Sequence, residues 1–113
     1  MRHSTSKLVR SLGFIAHTFP SALAFLNSKQ LIETSCLISD IHMPEMSGIQ
    51  LQDSLRAGGH NIPIIFITAY SDDKIRSGAL AQGAVCFLEK PFEIEALSRC
   101  IDVALRAKMG KNS

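Results

Sequence analysis

The chain has 113 residues, 12 Lys and Arg against 10 Asp and Glu for a net charge of +2, and 46% hydrophobic against 19% charged residues. That balance excludes a disordered chain and gives no electrostatic case for a nucleic-acid or membrane-surface partner. No apolar run is long enough to span a bilayer and no secretory apolar segment follows Met1, so a single cytoplasmic domain with no membrane partner is expected.

Residues 4–12 read as a short helix with Leu8, Val9 and Leu12 on one face and Gly13 as its stop. Residues 14–19 read as a strand, interrupted by the polar His17 and Thr18. Pro20 and Ser21 open a second helix to about residue 28 that buries Leu23, Phe25 and Leu26. Residues 36–40, Cys-Leu-Ile-Ser-Asp, form the next strand. Ser47 caps a third helix, with Leu51 and Leu55 one turn apart and Gly58-Gly59 ending it. Residues 62–68 are apolar throughout up to Thr68, the pattern of a strand covered on both faces, with Pro63 tolerable near its start. Ser71, Asp72 and Asp73 cap a fourth helix carrying Ile75, Ala79 and Leu80, stopped by Gly83. Residues 85–88 form a last strand. The last helix opens near Pro91 or Phe92 and spaces Ile94, Leu97, Ile101 and Leu105 as an apolar stripe. The domain is expected over residues 1–106, with 107–113 as a basic, solvated tail.

This alternation implies a parallel sheet with right-handed crossovers and helices on both faces. Cys36, Cys86 and Cys100 all lie in apolar segments, and their odd number argues for reduced core thiols. The four histidines have no metal-ligand spacing.

Three polar residues end apolar runs in the same way: Asp40, Thr68 and Lys90. Open parallel sheets place ligands at the C-terminal ends of their strands. A carboxylate, a hydroxyl and an ammonium would meet there, and together they suit phosphoryl chemistry. The carboxylate can be the nucleophile, the ammonium neutralises oxygens, and the hydroxyl donates to one of them.

Asp40 with Met43-Pro44 and Met46-Ser47-Gly48, Thr68-Ala69, and Lys90-Pro91-Phe92 together resemble a response-regulator receiver domain. The segments Leu12-Gly13-Phe14, Phe19-Pro20-Ser21-Ala22 and Gly83-Ala84-Val85 resemble FixJ-type receivers most. The resemblance implies a flavodoxin-like (CheY-like) fold, a doubly wound parallel sheet in a three-layer αβα arrangement. It implies a phosphoryl group passed from a histidine kinase or phosphotransfer protein to Asp40. Thr68 would be the switch hydroxyl, Lys90 the partner of the phosphoryl oxygens, and Phe87 the aromatic switch. Lys90-Pro91 would be a cis bond. Mg²⁺ would be held by Asp40 and the backbone carbonyl of His42, and Tyr70 would tune loss of the phosphoryl group. Output would pass through a homodimer or a downstream output protein, with no direct nucleic-acid contact.

The chain departs from the family at one place. Receivers carry an acidic pair at the end of a first strand, whereas Met1-Arg2-His3 already matches the opening of the first helix. The usual first strand and its acids are missing, which predicts a weakened Mg²⁺ site and a gap in the sheet. A start placed too late is the preferred explanation. The alternative is a degenerate pseudo-receiver that acts as a phosphorylation-independent interaction module. Enzymes fit less well. An aspartate-nucleophile phosphatase needs a second acid where His42 stands, and a flavodoxin needs a phosphate loop that is absent.

Overall fold

A computed structural model describes residues 2–17, 19, 21–29, 31, 34–41, 46–60, 62–69 and 72–111, and only the backbone of 2–6 and 107–111. Helix α1 (Arg2–Ser11) buries Val9 and rests Leu8 and Leu12 on the same cluster. It ends at Gly13, whose φ of +94° is a left-handed conformation that glycine adopts without a Cβ clash. In α2 (Ala22–Leu26) the Ser21 hydroxyl accepts from the Ala24 N–H at 3.1 Å, a capping bond that satisfies one orphan donor of the first turn. Ala22 and Phe25 go into the core, and the Phe25 ring meets Phe19 edge-on at 5.2 Å. Leu23, expected to be buried, is 43% exposed, because a helix of five residues can present only one narrow face inward.

Among the described residues the sheet has three parallel strands in the order β1 (Leu37–Asp40), β2 (Ile64–Thr68), β3 (Cys86–Glu89). Leu37 pairs with Ile64 and Asp40 with Ile67, while Ile65 pairs with Cys86 and Thr68 with Glu89. The strand expected over 14–19 is not formed at any of its described residues, and Ile15 is 89% exposed. The physical reason is pairing. A strand exists only through its ladder, and β1 is an edge strand with no neighbour on its outer side among the described residues.

Between β1 and β2 lies α3 (Gly48–Ala57), whose start is fixed by a capping box: Ser47 Oγ accepts from the Gln50 N–H and Gln50 Oε1 accepts from the Ser47 N–H. Between β2 and β3 lies α4 (Asp73–Ala81), capped by Asp72 Oδ1, which accepts from the Lys74 and Ile75 N–H groups. The final helix, α5 (Ile94–Lys111), buries Leu97, Cys100, Ile101 and Ala104 at i, i+3, i+4 and i+7, one face of a helix. Its helical backbone runs on past residue 106.

Alternation along β2 divides the core. Ile64 and Phe66 join Phe25, Leu51, Leu55 and Ala79 from α2, α3 and α4. Ile65 joins Val9, Leu97, Ile101 and Ala104 from α1 and α5. A period of two in the strand thus feeds two helix layers, one on each side, and gives the three-layer arrangement expected from the sequence. All five residues of β2 are buried, as the central strand requires.

Candidate functional site

The C-terminal ends of the three strands form one rim. Asp40 closes β1, Thr68 closes β2, and Lys90 follows β3 directly. Lys90 is anchored by its own backbone, whose N–H donates to the Thr68 carbonyl at 2.8 Å. From there its side chain crosses the end of the middle strand, and Nζ reaches Asp40 Oδ2 at 3.2 Å. The pair is partly exposed, with 22% of the Lys90 side chain and 28% of the Asp40 side chain accessible. It is open enough for a ligand and dry enough for the charges to interact more strongly than on the surface. The Lys90–Pro91 bond is cis, as expected.

The loop after β1 is drawn back onto Asp40. Gly48 N–H donates to the Ile41 carbonyl at 2.9 Å, and Ser39 Oγ donates to the Asp40 carbonyl at 3.0 Å. A Cβ on Gly48 would lie 2.6 Å from the Asp40 carbonyl oxygen and 2.9 Å from a ring carbon of Phe66. Only glycine fits there without displacing the backbone that carries the carboxylate. In the sequence Gly48 stands out only as part of the Met46-Ser47-Gly48 motif, with nothing to mark it as a residue that positions Asp40.

Thr68 is fully buried, at 0% exposure, so its side chain lies beneath the rim rather than on it. Phe87 is half-buried and packs on the cluster formed by α2, α3 and α4, together with Ile75 of α4. His42 and Tyr70, expected at the metal and at the mouth of the site, lie outside the described residues. Among the described residues no group of three His, Cys, Asp or Glu side chains could hold a cation. One oxygen of Asp40 is taken by Lys90. Mg²⁺ demands near-octahedral oxygen ligation, and the described donors do not supply it.

These strand ends and motifs match a known family. The profile of the response regulator receiver domain matches residues 1–102. The chain belongs to the response-regulator receiver family. The response regulator protein TmoT of Ectopseudomonas mendocina is 45% identical over 101 residues, which cover 89% of this chain and 46% of that protein. The transcriptional regulatory protein FixJ of Bradyrhizobium diazoefficiens is 38% identical over 106 residues, covering 94% of this chain and 52% of that protein. The chain therefore spans about half the length of the curated relatives it matches. Among solved structures, the response regulator StyR superposes with a TM-score of 0.90 at 40% identity, covering 99% of this chain and 57% of that one. The N-terminal part of FixJ gives a TM-score of 0.83 at 34% identity, covering 93% and 84%. The receiver fold, a flavodoxin-like parallel sheet between helix layers, is thus shared by sequence and by structure. Receivers are the signal-accepting modules of two-component systems. As a class they use Mg²⁺ and work with histidine kinases and output domains.

Proposed function

We propose that this receiver accepts a phosphoryl group on Asp40 from a histidine kinase or phosphotransfer protein and reports it through Thr68. The Asp40–Lys90 pair at the rim carries the reading: a partly exposed carboxylate held 3.2 Å from the Lys90 ammonium. In the transfer an Asp40 oxygen attacks phosphorus, the bond from phosphorus to the donor breaks, and the electron pair leaves with the donor. An acyl phosphate remains on Asp40. Lys90, whose carboxylate partner has lost its charge in the acyl phosphate (a mixed anhydride), turns to the new phosphoryl oxygens and neutralises them. Thr68 then rotates its hydroxyl toward the group, and Phe87 and α4 follow in the cluster they share. The chemistry is a single transfer and not turnover of free phosphate esters, so the module is not an enzyme. Its output passes to a second copy or to a downstream output protein.

Intact mass after incubation with acetyl phosphate, with and without Mg²⁺, tests the reading. One added phosphoryl group, absent from Asp40→Asn, is the expected result. A gain that persists in Asp40→Asn refutes the assignment. The second reading, a pseudo-receiver that binds a partner without phosphate, is favoured by one observation: the described residues offer no cation site. It predicts no mass gain under any Mg²⁺ concentration and a partner affinity that Asp40→Asn leaves unchanged.

A further inference from the structure

The seam between α3 and α4 has a feature that neither packing nor the phosphoryl site explains. Gln52 is 2% exposed and sits beside Leu51 and Leu55, buried in an otherwise apolar layer. Its Nε2 donates to the Ala79 carbonyl in the last turns of α4 at 3.1 Å. That carbonyl already accepts the Ala84 N–H at 3.0 Å, so it does not depend on Gln52. Meanwhile Gln52 Oε1 is buried and has no donor among the described residues. A buried unpaired acceptor costs more than a shared hydrogen bond returns.

An open surface groove runs along the outer edge of the same seam. On α3, Ile49, Gln52 and Asp53 fall at i, i+3 and i+4 and so share one face. On α4, Ile75, Gly78, Ala79 and Gln82 share another. Between them lies a groove of about 290 Å³, lined by Ile49 and Asp53 on one side and by these α4 residues with Lys74 on the other. Gly78 is on its exposed α4 wall, where a Cβ would meet nothing within 4 Å. A mid-helix glycine also weakens α4 itself.

We propose that Gln52 is a polar latch that keeps the α3–α4 seam openable, so that α4 can leave α3 as a unit at low cost. Closed, the seam holds one shared hydrogen bond and one unsatisfied oxygen. Open, both polar atoms of Gln52 reach water, which offsets part of the apolar area lost. Because Ile75 of α4 packs in the same cluster as Phe87 of β3, release of α4 loosens the strand that leads into Lys90. The inference needs no phosphoryl group and stands or falls apart from the function proposed above.

Hydrogen exchange on the unmodified protein, with denaturant dependence, tests it first. The amides of residues 79–84 are expected to exchange through an opening smaller than global unfolding, while those of β2 wait for the global event. If both sets exchange only with global unfolding, there is no latch. Gln52→Met, similar in length and without the unpaired oxygen, is expected to slow exchange at residues 79–84 by roughly tenfold more than at β2. Faster exchange there, or an equal change throughout the molecule, would mean that Gln52 fastens the seam or merely contributes to the core. Gly78→Ala, which strengthens α4 without touching Gln52, is expected to slow the same amides independently.

Discussion

Asp40 is useful because its backbone is held more tightly than its side chain. The carboxylate is partly exposed, yet the carbonyl behind it is in contact range of Gly48 and accepts from Ser39. Gly48→Ala is expected to push the β1 end away from Lys90 and to cost about 1–3 kcal/mol as an overpacking change. The check is denaturant unfolding, together with loss of any phosphoryl uptake by intact mass. Thr68 works by a different route. It is fully buried, so any role it has is exercised from below the rim. Thr68→Ala is expected to leave uptake at Asp40 largely intact and to remove the difference in partner affinity between phosphorylated and free protein. Titration of both forms against one partner measures this, and a difference that survives the substitution argues against a Thr68 switch.

At the scale of elements, the helices are set by local chemistry and the strands are not. The Ser47–Gln50 box and the Asp72 cap satisfy orphan N–H groups with side chains three residues or fewer away. Ser47→Ala is expected to cost about 1 kcal/mol, seen as a lower unfolding midpoint with an unchanged slope, since no surface is newly exposed. These starts are legible in the sequence, and Gln50, three residues after Ser47, is the further mark of a capping box. Asp40, Thr68 and Lys90 were legible too, because a polar residue ending an apolar run marks a strand terminus. That no strand forms at the described residues of 14–19 could not be read from those residues themselves, since apolar content says nothing about whether a partner strand is present; the expected gap in the sheet was the relevant signal. Gln52 carried no signal at all: an amide in a helix looks like a surface residue until the neighbouring helix is placed over it.

For the whole molecule, the two core layers differ in chemistry. The layer under α1 and α5 contains all three cysteines, whereas the other has none. Burial, then the neighbouring Cys86 thiol, pushes Cys36 up from 9.0 to about 12, and burial with the same neighbour does likewise for Cys100. The unfolded chain ionises these thiols near 9.0 while the folded one keeps them protonated. Their contribution is therefore complete below pH 9 and is lost progressively as pH rises toward about 12. Unfolding midpoints across that window should fall more steeply in the wild type than in a Cys36→Ala, Cys100→Ala double variant. Equal slopes would show that the thiols ionise alike in both states.

The register of the sheet also governs how the chain finds this structure. Leu37 pairs with Ile64, 27 residues away, and Ile65 with Cys86, 21 residues away. The described strands all pair in parallel, so each ladder forms only after a whole crossover has closed, and loop entropy is lost before any sheet bond repays it. Both ladders run through β2. Among the described residues β1 and β3 pair only with β2, so the rim that holds Asp40 and Lys90 needs β2 in place. The middle strand is therefore expected to seed assembly, with the Asp40–Lys90 pair, which joins the ends of β1 and β3 across it, among the last contacts to form.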